Sequence, residues 1–266
     1  MNSRINFDYN TTMKYYSPTS EYHIIKRPKI FFRLINFLIR KLIGRNEIIW
    51  HTEKPDEAVV FVSNHTRTYA PLSMMFNFDL PIRPWANAYM LTYRNGYKIF
   101  YKKISYDFNP KFLRAILLAI IMPIINLYFR SMEPIPVYHD IRLRTTFTKT
   151  TETLNSGINV VIYPEKNIIS PYKYANELEN GFVHLAMHYY EATGKCVKFY
   201  PVYCCKDLKK ILIGVPIEYN PQVNLKEQRL IIADYLCKKI NELANSLPPH
   251  KPYLNKSYPP NIRFNF

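Results

Sequence analysis

Glycine is scarce in this 266-residue chain: six residues, at 44, 96, 157, 181, 194 and 214, with no two closer than 13 positions. A loop that cradles phosphate with backbone amides needs glycines a few positions apart, so a dinucleotide fingerprint and a Walker-type loop are both excluded. Cysteine is scarce too, and Cys196, Cys204, Cys205 and Cys237 never fall in C-x-x-C spacing, which argues against a disulfide framework. The chain opens Met1-Asn2-Ser3-Arg4-Ile5-Asn6-Phe7-Asp8 without a secretory apolar stretch, and the expectation is a reducing, cytoplasmic setting. Membrane-length apolar runs are missing as well. The nearest, Ala115–Phe129, is fifteen residues bracketed by Arg114 and Arg130 and interrupted by Pro123, short of the roughly 20 a spanning helix needs. It is expected as a buried helix pair or a shallow membrane-contacting element.

Acidic residues are outnumbered, 20 against 36 Lys+Arg, for a net charge of +16. Such a surface attracts polyanions, which include nucleic acid, anionic lipid headgroups and phosphorylated substrates. No helix-turn-helix, zinc-finger or RNA-binding signature is recognisable, so specific nucleic-acid recognition is not expected. With 48% hydrophobic and 15% aromatic residues the chain can bury a sizeable core. From Lys29 to Arg45 apolar and basic positions alternate at helical spacing, with Phe32, Ile35, Ile39 and Leu42 near one stripe and Arg33, Arg40, Lys41 and Arg45 beside it. A basic amphipathic helix of this kind suits either an anionic membrane interface or the protein's own core.

Short runs rich in β-branched residues alternate with helical patterns. Residues 58–62, 135–138, 159–163, 197–203 and 211–217 read as strands. Residues 142–154 and 178–193 read as helices stopped by Gly157 and Gly194, and 224–247 as a terminal helix. The pattern predicts a single α/β domain, a central mostly parallel or mixed sheet flanked by helices, with an N-terminal amphipathic helical segment. The expected organisation is a polar arm over 1–28, the basic segment over 29–56, an α/β core over 57–221, a helix over 222–247 and a Pro-rich tail over 248–266.

Two of these strands end in polar residues that would border the ligand crevice at the carboxyl edge of an open α/β sheet: Ser63-Asn64-His65 and Pro164-Glu165-Lys166. An imidazole there, with an ordinary pKa of about 6.5, suits general-base work near neutrality. Four segments stand in order: Asn64-His65-Thr66-Arg67-Thr68-Tyr69-Ala70-Pro71, Pro136-Val137-Tyr138-His139, Tyr163-Pro164-Glu165-Lys166-Asn167 and Phe199-Tyr200-Pro201-Val202. Together they resemble the four blocks of the glycerophospholipid acyltransferase superfamily, over about residues 55 to 220. Leu154-Asn155-Ser156-Gly157 and Gly181-Phe182-x-x-Leu185-Ala186 add to the resemblance.

The resemblance implies transfer of an acyl chain from acyl-CoA or an acyl carrier protein to the hydroxyl of a lysophospholipid or glycerol-phosphate-type acceptor. His65 would be the general base, with Asn64, Arg67, His139, Arg142, Glu165 and Lys166 around the acceptor. No covalent acyl-enzyme, tightly bound cofactor or metal is implied. The expected partners are an anionic membrane surface, on which the protein would sit peripherally at the inner face, the lipid acceptor and an acyl carrier protein. The departures are specific. The family's first block is Asn-His, four residues, then Asp, and here the Asp position is Ala70. Its third block is Phe-Pro-Glu-Gly-Thr-Arg, against Lys166, Asn167 and Ile168 here, and His139 replaces an Arg of the second block. Asp79 and Glu165 are the carboxylates considered as substitutes for the missing one. Either the site uses a shifted constellation, or the chain keeps fold and lipid pocket while chemistry is slow or silent.

His184 and His188 have the i, i+4 spacing of a metal pair but lack the Glu of H-E-x-x-H and a third ligand, so no metal is expected. Vicinal Cys204-Cys205 would be reactive only with a depressed pKa.

Overall fold

The computed structural model describes Leu34, Phe37, Leu38, Arg40, Lys41, Tyr97 and residues 44–66, 69–92, 111–165 and 177–250. The expected arm, most of the basic segment before residue 44 and the tail beyond residue 250 lie outside the described residues, as do Arg67 and Lys166. In chain order the strands are Glu47–Trp50 (β1), Val60–Ser63 (β2), Ile82–Asn87 (β3), Ile135–Val137 (β4), Asn159–Ile162 (β5), Lys198–Cys205 (β6), Lys210–Ile213 (β7) and Ile217–Glu218 (β8). The helices are Tyr69–Asn77 (α1), Lys111–Ser131 (α2), Leu143–Asn155 (α3), His184–Thr193 (α4) and Leu225–Asn245 (α5), with short 3₁₀ turns at Ala88–Leu91 and Gly181–Val183.

The strands form one sheet in the order β1-β7-β6-β2-β5-β3-β4, with β8 beside β6. β1–β7, β2–β5, β2–β6, β3–β5 and β3–β4 are parallel, and β6 pairs antiparallel with β7 and β8. This is an α/β fold with a mixed, mostly parallel sheet. Strand periodicity sorts side chains onto two apolar layers. Val60, Val62, Val160, Ile162 and Phe199 meet Leu154 of α3, Leu185 of α4 and Ile232 and Leu236 of α5 on one side. Phe61, Val161, Val202, Cys204, Ile211 and Ile213 meet Ala70 and Met74 of α1 on the other.

Several elements depart from the sequence pattern. β1 closes one edge of the sheet within the segment expected to be helical, and β3 lies between β5 and β4 although Pro84 stands in it. Proline cannot donate to a ladder and so argues against an interior strand; buried packing overrides that local signal here. The run 211–217 divides into β7 and β8 at Gly214, whose backbone passes so close to Pro201 and Leu243 that a Cβ there would lie 3.1 Å and 3.3 Å from them. Gly157 and Gly194 stop α3 and α4 with φ of 76° and 71°, the left-handed region that favours glycine. Of the two expectations for this segment, a buried helix pair or a shallow membrane-contacting element, the structure excludes the first: it is one continuous helix, α2, running through Pro123 with much of one face in solvent. None of the described helices is long and apolar enough to cross a membrane.

Candidate active site

β2, β5, β3, β4 and β6 run in one direction, so their carboxyl ends share a rim. At the end of β2, Ser63 and Asn64 are buried and the chain emerges at His65, which is exposed. Asn64 acts inward: its Oδ1 accepts from the Cys204 amide at 2.8 Å and its Nδ2 donates to the Cys204 carbonyl at 3.2 Å. The side chain thus replaces a strand partner and locks β2 to β6 where His65 leaves the sheet. One residue on, the Thr66 hydroxyl accepts from the Ala70 amide at 2.9 Å and caps α1.

Glu165 follows β5, the strand beside β2, and its Oε2 accepts from the His65 main-chain N–H at 2.7 Å. The turn carrying it is held from behind, with Glu165 bridged antiparallel to Leu178 and the Glu179 amide donating to the Pro164 carbonyl at 2.6 Å. The His65 ring stands edge-on to Tyr163, centroids 5.5 Å apart at 78°. The first and third sequence blocks are therefore joined, main chain to carboxylate. A charged acceptor on an amide is among the stronger hydrogen bonds, and it fixes the direction in which the imidazole leaves the strand.

Of the other sequence-predicted site residues, His139 and Arg142 are among those described, and both lie beyond β4. His139 is exposed and Arg142 half-buried just beyond β4, three strand positions from β2, or about 14 Å across the sheet. Arg142 is forked onto Asp140, its Nε lying 2.9 and 3.0 Å from the two carboxylate oxygens, and its guanidinium stacks 4.7 Å over Tyr138. That pairing holds the Asp140 carboxyl below its ordinary pKa. Arg142 thus faces a carboxylate of its own loop, and the strand order does not bring it or His139 to His65. Asp79 pairs with Lys54 after α1 has returned to the opposite rim, so it does not supply the missing carboxylate.

Ala70 is completely buried in the apolar layer with Phe61, Met74, Val202 and Cys204. Two further groups lie at this level, the Tyr163 hydroxyl, to which sequence reasoning assigned no role, and Cys204, which it considered only for reactivity. The Tyr163 hydroxyl is buried without a hydrogen-bond partner among the described residues, and desolvation pushes its pKa well up. Cys204 lies 3.6 Å from the Ser63 hydroxyl, and burial raises its thiol to about 12, the reverse of an activated cysteine. Only the Tyr-Pro-Glu wording of the third block pointed toward Tyr163.

His188 Nδ1 lies 3.3 Å from the Thr151 hydroxyl, while burial and Arg229 lower the His184 pKa. No cluster of three or more metal-ligating side chains occurs among the described residues. A cavity of about 340 Å³, lined by Asp56, Glu57, Gly157, Asn159 and Lys195 among others, sits at the amino ends of β2 and β5, the rim opposite His65.

No family model matches the sequence, and no curated protein matches it. Among solved structures the chain is similar to the 1-acyl-sn-glycerophosphate (LPA) acyltransferase PlsC from Thermotoga maritima. The TM-score is 0.44 at 12% identity, covering 85% of this chain and 86% of that one.

Proposed function

We propose that this chain is an acyltransferase-like protein moving an acyl group from a thioester donor to the hydroxyl of a lysophospholipid or glycerol-phosphate-type acceptor. The observation that carries the reading is the joining of two sequence blocks at one rim: exposed His65 ends β2, and Glu165 ends the neighbouring strand and holds the His65 amide. A ring nitrogen of His65 takes the acceptor's hydroxyl proton as the oxygen attacks the thioester carbonyl. The tetrahedral intermediate collapses with loss of the thiolate, and the imidazolium returns its proton to that sulfur. The donor is acyl-CoA or an acyl carrier protein, and no resident cofactor is needed. Glu165 acts here as a positioning residue for the base.

Ala70 favours a second reading. In His–Asp pairs the carboxylate fixes the imidazole tautomer, and its loss costs around 10⁴ in rate. An apolar residue packed at that position suits a lipid-binding homologue with little or no turnover. Incubating the full chain with radiolabelled acyl-CoA and lysophosphatidate, and separately with acylated carrier protein, decides between them. Labelled phosphatidate supports acyl transfer; vesicle and lipid binding with no labelled product from either donor supports the silent homologue.

A further inference from the structure

Only a few bonds separate the reacting hydroxyl of a glycerol-phosphate acceptor from its phosphate, so cations that read the phosphate must lie beside the base. His139 and Arg142 do not meet that condition: both lie beyond β4, and Arg142 is forked onto Asp140. Among the described residues, the cations that strand order does bring beside the end of β2 come from the other side, from the β6–β7 turn that carries Lys206 and Lys209. Ser63 pairs with Val202, and the Asn64 side chain is bonded to the Cys204 main chain at 2.8 Å and 3.2 Å. His65 is thus one residue past this anchor on β2, Lys206 is two residues past it on β6, and neighbouring strands are about 4.8 Å apart.

Tyr69, the first residue of α1, is buried under the turn. Its hydroxyl donates to Asn46 Oδ1 at 2.8 Å, and the Lys209 and Lys206 ammonium groups lie 5.1 Å and 6.0 Å from its ring centroid. A ring face orients an ammonium group without neutralising it, and burial raises the Tyr69 pKa, so the phenol brings no negative charge of its own. The buried Cys205 thiol accepts from the Asp207 and Leu208 amides and ties the turn down from inside. Lys209 has a φ of 54°, in the left-handed region that favours glycine; backbone strain of this kind clusters at ligand-binding positions. Of the other charges in the hairpin, Lys210 pairs with Glu47 at 3.2 Å, and Asp207 is exposed at the tip.

We propose that Lys206 and Lys209 bind the phosphate of the acyl acceptor, so that the acceptor lies on the β6 side of His65 while Glu165 holds the main chain from the β5 side. That the phosphate belongs to an acyl acceptor rests on the acyl-transfer reading; the binding of a phosphate ester by these two lysines does not. Two ammonium groups suit a dianionic phosphomonoester better than a zwitterionic headgroup, which makes lysophosphatidate a better acceptor than lysophosphatidylcholine. The phosphate thereby leaves the β4–β5 side, where the resemblance sets His139, Arg142 and Lys166, and the second-block Arg that this chain lacks is not required.

Titration of the full chain with sn-glycerol 3-phosphate, followed by ³¹P NMR, reads the binding directly. Inorganic phosphate competes with the ester, and glycerol does not. The double variant Lys206→Gln, Lys209→Gln weakens binding about tenfold or more, the factor that a hydrogen bond between charged groups carries. Lys195→Gln, Lys226→Gln, at exposed lysines after α4 and at the start of α5, removes equal charge and leaves binding unchanged. Lys209→Gly separates binding from folding: its backbone favours glycine, so Tm stays at or above wild type while binding falls. In transfer assays the double Gln variant raises KM for lysophosphatidate about tenfold or more, with kcat and KM for acyl-CoA little changed and transfer to monoacylglycerol, which has no phosphate, untouched. No binding of the ester by wild type, or equal binding by wild type and the double Gln variant, overturns the proposal. A rise confined to KM for acyl-CoA overturns it equally, because it assigns the lysines to the donor's phosphates. Ester binding that the Gln variant loses, with no transfer from any donor, upholds the phosphate site and defeats the acyl-transfer reading; transfer that proceeds with binding and KM unaltered by the variant does the reverse.

Discussion

Asn64 and His65 are adjacent in sequence and opposite in role. Asn64 turns inward and gives both ends of its amide to the Cys204 main chain, so Asn64→Ala leaves a buried N–H and C=O without partners. Each such orphan costs about 1–3 kcal/mol, and the expected outcome is a loss of about 2–4 kcal/mol in denaturant unfolding; a loss of turnover at unchanged stability would instead make Asn64 a substrate ligand. Glu165 is separable in the same way. Glu165→Gln keeps an oxygen for the His65 amide, whereas Glu165→Ala removes it. Transfer kinetics should show kcat reduced about tenfold or more in the Ala variant, largely restored in the Gln variant, with KM for the acceptor little changed, since a hydrogen bond to a charged group is worth about 1.5–3 kcal/mol. A raised KM with intact kcat in both variants would place Glu165 on the substrate.

At the level of elements, α3 is the most instructive helix, because it is rich in threonine, a poor helix former, and yet lies where the sequence pattern placed it. Its hydroxyls stitch it to the sheet: Thr146 donates to the Pro136 carbonyl at 2.8 Å and accepts from the Tyr138 amide at 3.3 Å, and Thr150 accepts from the Trp85 indole at 3.0 Å. Thr146→Val preserves shape and removes both bonds, which should lower stability by about 1–3 kcal/mol in thermal or urea unfolding; a variant as stable as wild type contradicts this account of how α3 is held. Helices stopped by a glycine, α3 and α4, were legible in the sequence, as were β2, β5 and β6. β3 was hidden by Pro84, β1 by the basic amphipathic helical pattern that runs up to it, and α1 by Pro71, which a helix tolerates in its first turn. The continuity of α2 through Pro123 was equally unreadable, because local rules say where proline costs energy and not when surroundings accept the cost.

On the scale of the whole molecule, strand order decides what the linear motifs could not. His65 and Glu165 are a hundred residues apart in sequence yet end neighbouring strands, while Arg142 and His139 end a strand three positions away and Asp79 returns to the far rim. His65 and Glu165 were singled out from block order, Glu165 as an acceptor-site residue and candidate substitute carboxylate; its bond to the His65 amide, the inward turn of Asn64, the Arg142–Asp140 fork and the burial of Ala70 depend on contacts that spacing does not encode. The central claim is that His65 is the base of acyl transfer. It is tested most directly by comparing wild type and His65→Ala for labelled acyl transfer to lysophosphatidate at saturating donor. General-base catalysis predicts a fall of about 10²–10⁴ in kcat with vesicle binding retained; equal product formation by the two proteins contradicts it.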